Sequence, residues 1–484
     1  MKPSKKTIYT YLAEKRPDQP LFLDERGNTV TCGRAREHVE ALAVQLRQTR
    51  IQAGGIVVLR MPRTAEAAMM ELALLAAGFQ AMLSDPHMTV LDYFQRKEFE
   101  DTAGYLTDEG GSWTLVSPTG RDTDMTGIPG SLKKPASDAM APAVLITTSG
   151  STGDRKTVVL SQYNIVNNLV DANAFGDYVP GDVALGILPL FHIFGQVLLF
   201  GSLILDYSIV FPETVTPDSA LQCVERFRVT RMNGVPSLYL AMAEKADGYD
   251  TETLRVGFIG GSPCTLEEIQ RIENRLGMKL LNAYGMSECV SISISSANDS
   301  PMQRIGGVGR VYPMSRVRIV DRNGAEVPEG TEGEITVNGA SRMLGYYRDE
   351  EATGSVIDGA GFLHTGDLGY LDQDGILHIT GRIKDIIIRN GVNISARAVE
   401  EAIQGIEGVW QAIVVGIPDK KQGEVPAAVY TGELAETALR RELERKLPKN
   451  MLPTMLFAVT AIPMTESGKP DKQKIRKQLL AFSG

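Results

Sequence analysis

The sequence predicts an α/β protein with a large N-terminal domain of layered α/β sheets, a small β-barrel-like subdomain, and a small α+β C-terminal domain. Three observations predict it. Strand-like β-branched runs and helix-period segments alternate through the first two thirds of the chain. After about residue 310 the texture turns to short alternating strands with glycine turns, and the last stretch carries an amphipathic helix and a lysine-rich tail. With 484 residues, 43% apolar and 23% charged, the chain can fill a large core in two or three domains, and its 48 Gly and 24 Pro are scattered as in a globular protein.

Residues 57–60 read as a strand, 64–78 as a helix and 81–85 as the next strand. Residues 183–205 hold no acid or base apart from His192, a run long enough to span a membrane. Gly186, Pro189, Gly195, Gly201 and the histidine break that run into a short strand, a bend and a core helix, so no transmembrane segment is expected. Past residue 310 the dipeptides Asn323, Gly324 and Asn338, Gly339 are expected to turn hairpins. From Ala396 the pattern is helix, strand and an amphipathic helix over 433–447, with leucines at 434, 439, 443 and 447. No internal repeat, low-complexity tract or long linker is visible, so the domains are expected to abut.

Fifty basic against fifty-nine acidic side chains leave a net charge of −9, which excludes a protein whose main work is gripping nucleic acid. Cys32, Cys223, Cys264 and Cys289 are too dispersed for a disulfide framework, which points to a reducing cytoplasm. The basic N-terminus runs into polar sequence without an apolar core and is not expected to be a signal peptide.

The most informative local segment is VLITTSGSTGDRKTVVLS, residues 144–161. Small residues at Thr148, Ser149, Gly150, Ser151, Thr152 and Gly153 let the backbone curl its N–H groups around an anion, the hydroxyls add donors and Lys156 adds charge. A polar surface loop is the competing reading. A P-loop of the GxxxxGK[ST] type fails at Arg155, where its second glycine must stand, and in context, because Lys156 leads into a strand and the next helix starts only near Ser161.

Further segments gain meaning in combination: PLFHIFG (189–195), GGSP (260–263), NAYGMSE (282–288), GEITVNG (333–339) with Gly345 and Tyr346, TGD (365–367), GRIKDIIIRNGVNI (381–394) and PMTESGKPD (463–471). Singly, NAYGMSE is a strand and turn and HTGDLG a plain hairpin. In this order and spacing, with TSGSTGDRK, they resemble the adenylate-forming superfamily of acyl-CoA synthetases, nonribosomal adenylation domains and firefly-type luciferases over nearly the whole chain.

The resemblance implies that ATP activates a carboxylic acid to an acyl-adenylate with release of pyrophosphate, after which a thiol displaces AMP, with Mg²⁺ assisting. Lys469 resembles the catalytic lysine that bridges carboxylate and α-phosphate. Glu288 resembles the Mg²⁺ ligand or its anchor, and Ser287 offers a hydroxyl to the phosphates. Tyr284 is implied to stack on adenine opposite Gly261, Ser262 and Pro263, with Asn282, Ala283, Gly285 and Met286 completing that nucleotide-binding segment. Asp367 is implied to accept from the ribose hydroxyls with Arg382 as its partner. Lys384 stands at the hinge, giving an adenylation core over 1–383 and a mobile C-terminal domain over 384–484. Gly391 would bring a second face of that domain to the thiol's pantetheine arm.

Amino-acid-activating relatives usually carry an aspartate in the segment that here reads PLFHIFG. Its absence beside Phe191, His192 and Phe194 disfavours a buried ammonium and points to a fatty or aryl acid. His192 is grouped with the catalytic residues as shaping the pocket mouth; a buried, hydrogen-bonded histidine is the competing reading. The core and end domain occupy all 484 residues, so no fused carrier domain is expected and the acceptor is CoA, with the phosphopantetheine of a separate acyl carrier protein as the alternative. Arg155, where relatives usually have proline, Thr157, where they have glycine, and the divergent MLSDPHM segment (82–88) leave a second alternative, a nucleotide-binding regulator without turnover.

Overall fold

The computed structural model describes residues 2–109, 112–117, 123–128, 130, 132, 138–148, 156–261, 264–465 and 470–482. Its chain forms two compact units, Met1–Arg316 with Val337–Leu363, and Val317–Thr336 with His364–Gly484.

The first unit holds two large sheets. One is eight-stranded, in the order Gly345–Tyr346, Lys156–Ser161, Pro142–Thr148, Gln80–Ser84, Ile56–Arg60, Gly104–Glu109, Ser112–Val116, Thr123–Asp124. The nine-stranded sheet has a parallel centre in which Val183–Leu185, Arg231–Gly234, Val256–Ile259 and Lys279–Tyr284 lie side by side. The helix Ala65–Ala77 touches Ile56–Arg60 and Gln80–Ser84 of the first sheet and Pro20–Asp24 of the second. Every residue from Ala67 to Ala77 is buried, as a helix apolar on all sides requires. Thr64 caps its start and Gly78, in the left-handed region at φ +90°, ends it. Truncating Leu72 or Leu74 there to alanine would cost about 2–5 kcal/mol.

The acid of that helix, Glu71, is fully buried and accepts from Gln196 Nε2 at 3.0 Å. Burial pushes its carboxyl up to about 8, so it is protonated at neutral pH. The apolar run at 183–205 resolves into the strand Val183–Leu185 and the helix Ile193–Ile204, and no helix among the described residues is long and apolar enough to cross a membrane.

Most of a four-stranded sheet, ordered Ser315–Val320, Gly333–Gly339, Leu363–Leu371, Leu377–Arg382, lies in the second unit. Asn323 and Gly324 turn as expected, with Gly324 at φ +79°. Asn338 and Gly339 do not: Gly339 ends the strand, and a Cβ there would lie 2.5 Å from Met314 O. That glycine serves close backbone approach, not a turn.

Beyond it stands a second sheet, ordered Val392–Ser395, Ile386–Arg389, Gly423–Gly432, Val409–Asp419, with Met455–Ala458 parallel to Gly423–Gly432. The single strand expected after Ala396 is thus a hairpin of two, its polar connection lacking an Asn-Gly signal. Alternate residues face opposite sides: Ala412, Val414, Ala428 and Tyr430 pack with helices Ala396–Gln404 and Glu436–Lys446, while Ile413, Val415, Ala427 and Val429 pack with Lys472–Phe482. The amphipathic helix starts at Glu436, three residues later than its leucine pattern implies, and buries Leu439 and Leu443.

Candidate active site

In the first unit the expected phosphate segment is a hairpin whose strands, Pro142–Thr148 and Lys156–Ser161, pair antiparallel with Thr148 opposite Lys156. The Thr148 hydroxyl donates to Lys156 O at 3.1 Å, which ties the two strands where they pair last. Ser149, Gly150, Ser151, Thr152 and Gly153 lie outside the described residues. Lys156 does open a strand, and the following helix, Gln162–Ala172, is capped by the Ser161 hydroxyl and Asn164.

The short strand Gly345–Tyr346 joins the edge of this hairpin, with Tyr346 opposite Val158. That pairing sets the Tyr346 ring 4.9 Å below the Lys156 ammonium, a cation–π contact. The Tyr346 hydroxyl donates to Glu288 Oε1 at 2.9 Å, and burial together with the Glu288 charge raises its pKa above the ordinary tyrosine range. Glu288 is itself tied by Met343 N–H, which donates to its carbonyl at 2.7 Å. Lys156, Tyr346 and Glu288 therefore form one line of cation, phenol and carboxylate, and a cleft of about 240 Å³ lined by Lys156, Tyr346, Lys97 and Arg348 opens beside it. Tyr346 was not among the residues singled out from sequence for a role in the site, although the motif Gly345, Tyr346 contains it.

Glu288 follows the parallel strand Lys279–Tyr284, whose neighbour Val256–Ile259 leads into Gly260 and Gly261. Ile259 pairs with Asn282, so both expected nucleotide segments leave adjacent strands at their carboxyl ends, where open α/β sheets bind ligands. A Cβ on Gly260 would lie 2.9 Å from Ala283 O, and Gly261 takes φ +86°. Ser262 and Pro263 lie outside the described residues. Asn282 donates from Nδ2 to Gly307 O at 2.9 Å. Tyr284 is buried, with 8% exposure.

After Tyr284 the chain folds back so tightly that a Cβ on Gly285 would sit 2.2 Å from Val290 O. Val290 is held at φ +58°, a costly conformation for a β-branched residue, and it adjoins the segment containing Met286, Ser287 and Glu288. His192 precedes the helix Ile193–Ile204 with its ring 4.2 Å from that of Phe191, and Phe194 packs with Phe258 and Ala283. The segments PLFHIFG and NAYGMSE thus share one apolar cluster.

In the second unit Asp367 and Arg382 face each other on paired strands, with Arg382 Nε donating to Asp367 Oδ1 at 2.5 Å. Asp367 is buried, and its N–H donates to Thr365 Oγ1 at 3.1 Å. Lys384 lies in the following turn, Ile383–Asp385, where partial desolvation and the charges of Arg382 and Lys472 hold its ammonium below the usual lysine range. Asn390 at φ +51° and Gly391 at φ +79° turn the hairpin between Ile386–Arg389 and Val392–Ser395, and no atom of the described residues lies within 4 Å of where a Gly391 Cβ would be. The turn alone accounts for this glycine. Lys469 lies outside the described residues.

Among the described residues no group of three or more His, Cys, Asp and Glu side chains gathers to hold a metal. Glu288, a single half-buried carboxylate joined through Tyr346 to the Lys156 hairpin, fits Mg²⁺ only in the way that ion usually binds, through one carboxylate with nucleotide oxygens and water.

Residues 10–347 match the AMP-binding enzyme family and residues 398–469 match the AMP-binding enzyme C-terminal domain. The chain is 34% identical over 340 residues to a sulfoacetate–CoA ligase of Cupriavidus necator, covering 69% of this chain and 67% of that one. Across curated relatives the match spans 56% to 73% of their own length. Among solved structures, ATP-bound MatB from Rhodopseudomonas palustris superimposes with a TM-score of 0.88 at 25% identity, covering 98% of this chain and 99% of that one. The o-succinylbenzoate CoA synthetase MenE of Bacillus subtilis, solved with its acyl-adenylate intermediate, gives 0.84 at 26% identity, covering 99% and 98%. With the family match running through the hairpin, both carboxyl-end segments and Tyr346, the chain belongs to the AMP-binding enzymes of the adenylate-forming superfamily.

Proposed function

We propose that this chain is an AMP-forming acid–thiol ligase that activates a fatty or aryl acid with ATP and passes the acyl group to CoA. The line Lys156, Tyr346, Glu288 carries the reading: a cation and a carboxylate held by one phenol, on a chain whose sequence just before Lys156 is rich in hydroxyls and glycines, suit a nucleotide's phosphates and their accompanying cation.

In the first step a carboxylate oxygen of the acid attacks the α-phosphorus, the bond from that phosphorus to the oxygen bridging it to the β-phosphate breaks, and pyrophosphate leaves. Both partners are anions, so the site must neutralise and align them. Lys469 would donate to the acid and the α-phosphate together, while Lys156 and the 148–153 segment hold the outer phosphates. Glu288 would hold Mg²⁺, and Tyr346 fixes the direction of its carboxylate. The chemistry that ion supplies when bound is charge neutralisation on the triphosphate. Asp367 and Arg382 would hold the ribose, and Tyr284 with Gly261 the adenine.

In the second step the thiol sulfur attacks the acyl carbon, the bond from that carbon to the AMP oxygen breaks, AMP departs and the thiol proton passes to solvent. Rotation about Lys384, dividing a core over 1–383 from a mobile domain over 384–484, would exchange Lys469 for the Gly391 turn between the steps. Phe191, His192 and Phe194 would wall an apolar acid pocket. The four cysteines are free and three of them buried, which supports a cytoplasmic location.

The test is a panel of fatty, aryl and amino acids assayed for AMP, with CoA or with a phosphopantetheine-charged carrier protein. AMP from an apolar acid with CoA is expected. ADP as product overturns the reading, a strict need for carrier protein overturns CoA, and ATP binding without any turnover would favour the regulator.

A further inference from the structure

Glu71 is the only acid within Ala67–Ala77, a stretch buried throughout. A leucine or methionine there would fill much the same space without the cost of taking a carboxyl out of water. What the carboxyl adds is an acceptor. Gln196 Nε2 donates to Glu71 Oε2 at 3.0 Å and, through its second N–H, to Leu190 O at 2.7 Å. Glu71, Gln196 and Leu190 are all at 0% exposure. An amide with both N–H groups engaged is fixed about its last torsion, so Glu71 aims the bond that Gln196 makes to the Leu190 carbonyl.

That carbonyl belongs to the turn in PLFHIFG. His192 N–H donates to Pro189 O at 3.3 Å and Gln196 N–H to His192 O at 3.0 Å. A Cβ on Gly195 would lie 2.1 Å from Pro189 O and 2.9 Å from Leu190 Cα, so the turn closes tightly on its own backbone. Phe191, His192, Ile193 and Phe194 are partly exposed, whereas Leu190 before them and Gly195 after them are buried. The turn thus displays four side chains from a buried base, and the Gln196 amide fastens that base. Glu71 Oε1 and Gln196 Oε1 are both buried without a partner among the described residues, so the pair is short of a donor. The proton that burial keeps on Glu71 supplies one.

We propose that Glu71 and Gln196 are positioning residues for the organic acid: together they fix the Leu190 carbonyl and with it the turn that carries Phe191, His192 and Phe194. This rests on the reading above, in which those three side chains wall the acid pocket. Neither Glu71 nor Gln196 lies in a segment assigned to the nucleotide or the thiol, so loosening the turn bears on the acid and leaves ATP binding as it was.

The experiment compares wild type, Glu71→Met, Gln196→Met and Glu71→Gln in the full chain, with octanoate and benzoate as probe acids. Acid-dependent exchange of labelled pyrophosphate into ATP gives the KM for acid, the KM for ATP and kcat. Glu71→Met and Gln196→Met, which remove the bond between them from opposite ends, are each expected to raise the KM for acid about tenfold, with kcat and the KM for ATP within about threefold of wild type. Glu71→Gln offers one acceptor and a donor, as the carboxylic acid does, and is expected to keep the KM for acid near wild type. A role confined to stability would move the denaturation midpoint and leave the KM for acid where it was. An unchanged KM for acid in either methionine variant that folds, an equal rise in the KM for ATP, a KM for acid in Glu71→Gln as high as in Glu71→Met, or failure of both methionine variants to fold overturns the proposal. Absence of exchange in the wild type with both acids overturns the choice of fatty or aryl substrates, and this inference with it.

Discussion

The Tyr346 hydroxyl donates to Glu288 Oε1 across 2.9 Å, while the same ring lies 4.9 Å from the Lys156 ammonium. One phenol thereby fixes the distance between the two charges, and it is placed by backbone pairing, because Gly345 and Tyr346 add a short strand to the edge of the Lys156 hairpin. Replacing the hydroxyl removes one hydrogen bond to a charged oxygen, worth about 1.5–3 kcal/mol, and leaves the backbone pairing intact. Tyr346→Phe is expected to raise the KM for Mg·ATP about tenfold, with the KM for CoA unchanged. Steady-state kinetics with each substrate varied in turn checks this, and an unchanged ATP dependence would mean the phenol does not orient Glu288.

Lys469→Ala should separate the two half-reactions. An ammonium bridging the acid and the α-phosphate serves only the first, so pyrophosphate exchange is expected to fall by about 1,000-fold or more. CoA thioester formation from a preformed acyl-adenylate should remain largely intact. Equal loss of both rates would reject the exchange of two faces at Lys384.

Gly285→Ala places a methyl carbon 2.2 Å from the Val290 carbonyl oxygen, backbone against backbone, where no side-chain rotation gives relief. The turn carrying Met286, Ser287 and Glu288 must then open. We expect loss of ATP binding, read by calorimetry, while the far-UV spectrum of the folded chain is retained. Wild-type affinity in this variant would show that the turn has no part in the nucleotide site.

Much of this arrangement is legible in the sequence because local chemistry decides it. Arg155 and the β-branched residues after Lys156 speak against a P-loop and for a strand, and Lys156 does open one. Asn390 and Gly391 turn a two-residue hairpin as that dipeptide should. Asn338 and Gly339 carry the same letters but not the turn, since the glycine is demanded by Met314 O, a contact no local pattern reveals. Tyr346 and Glu71 escaped notice for the same reason: their partners are 58 and 125 residues away in sequence.

The buried carboxyl of Glu71 makes stability depend on pH in a direction opposite to the usual acid. Its pKa is pushed up to about 8 by burial, above the ordinary 4.5, so the native state holds a proton that the unfolded state has released between those values. Where the native state binds more protons, stability falls as pH rises, and the loss runs from about pH 4.5 until Glu71 ionises near pH 8. A proton also gives the buried Oε1, which has no hydrogen-bond partner among the described residues, a donor to offer. Between pH 6 and 8 this group alone should remove about 2 kcal/mol. Glu71→Gln keeps the shape and the neutrality without the titration, and should flatten that part of the profile. Denaturant midpoints of wild type and variant at pH 6 and pH 8 decide it: the variant should gain on the wild type as pH rises, and parallel losses in both would place the titrating group elsewhere.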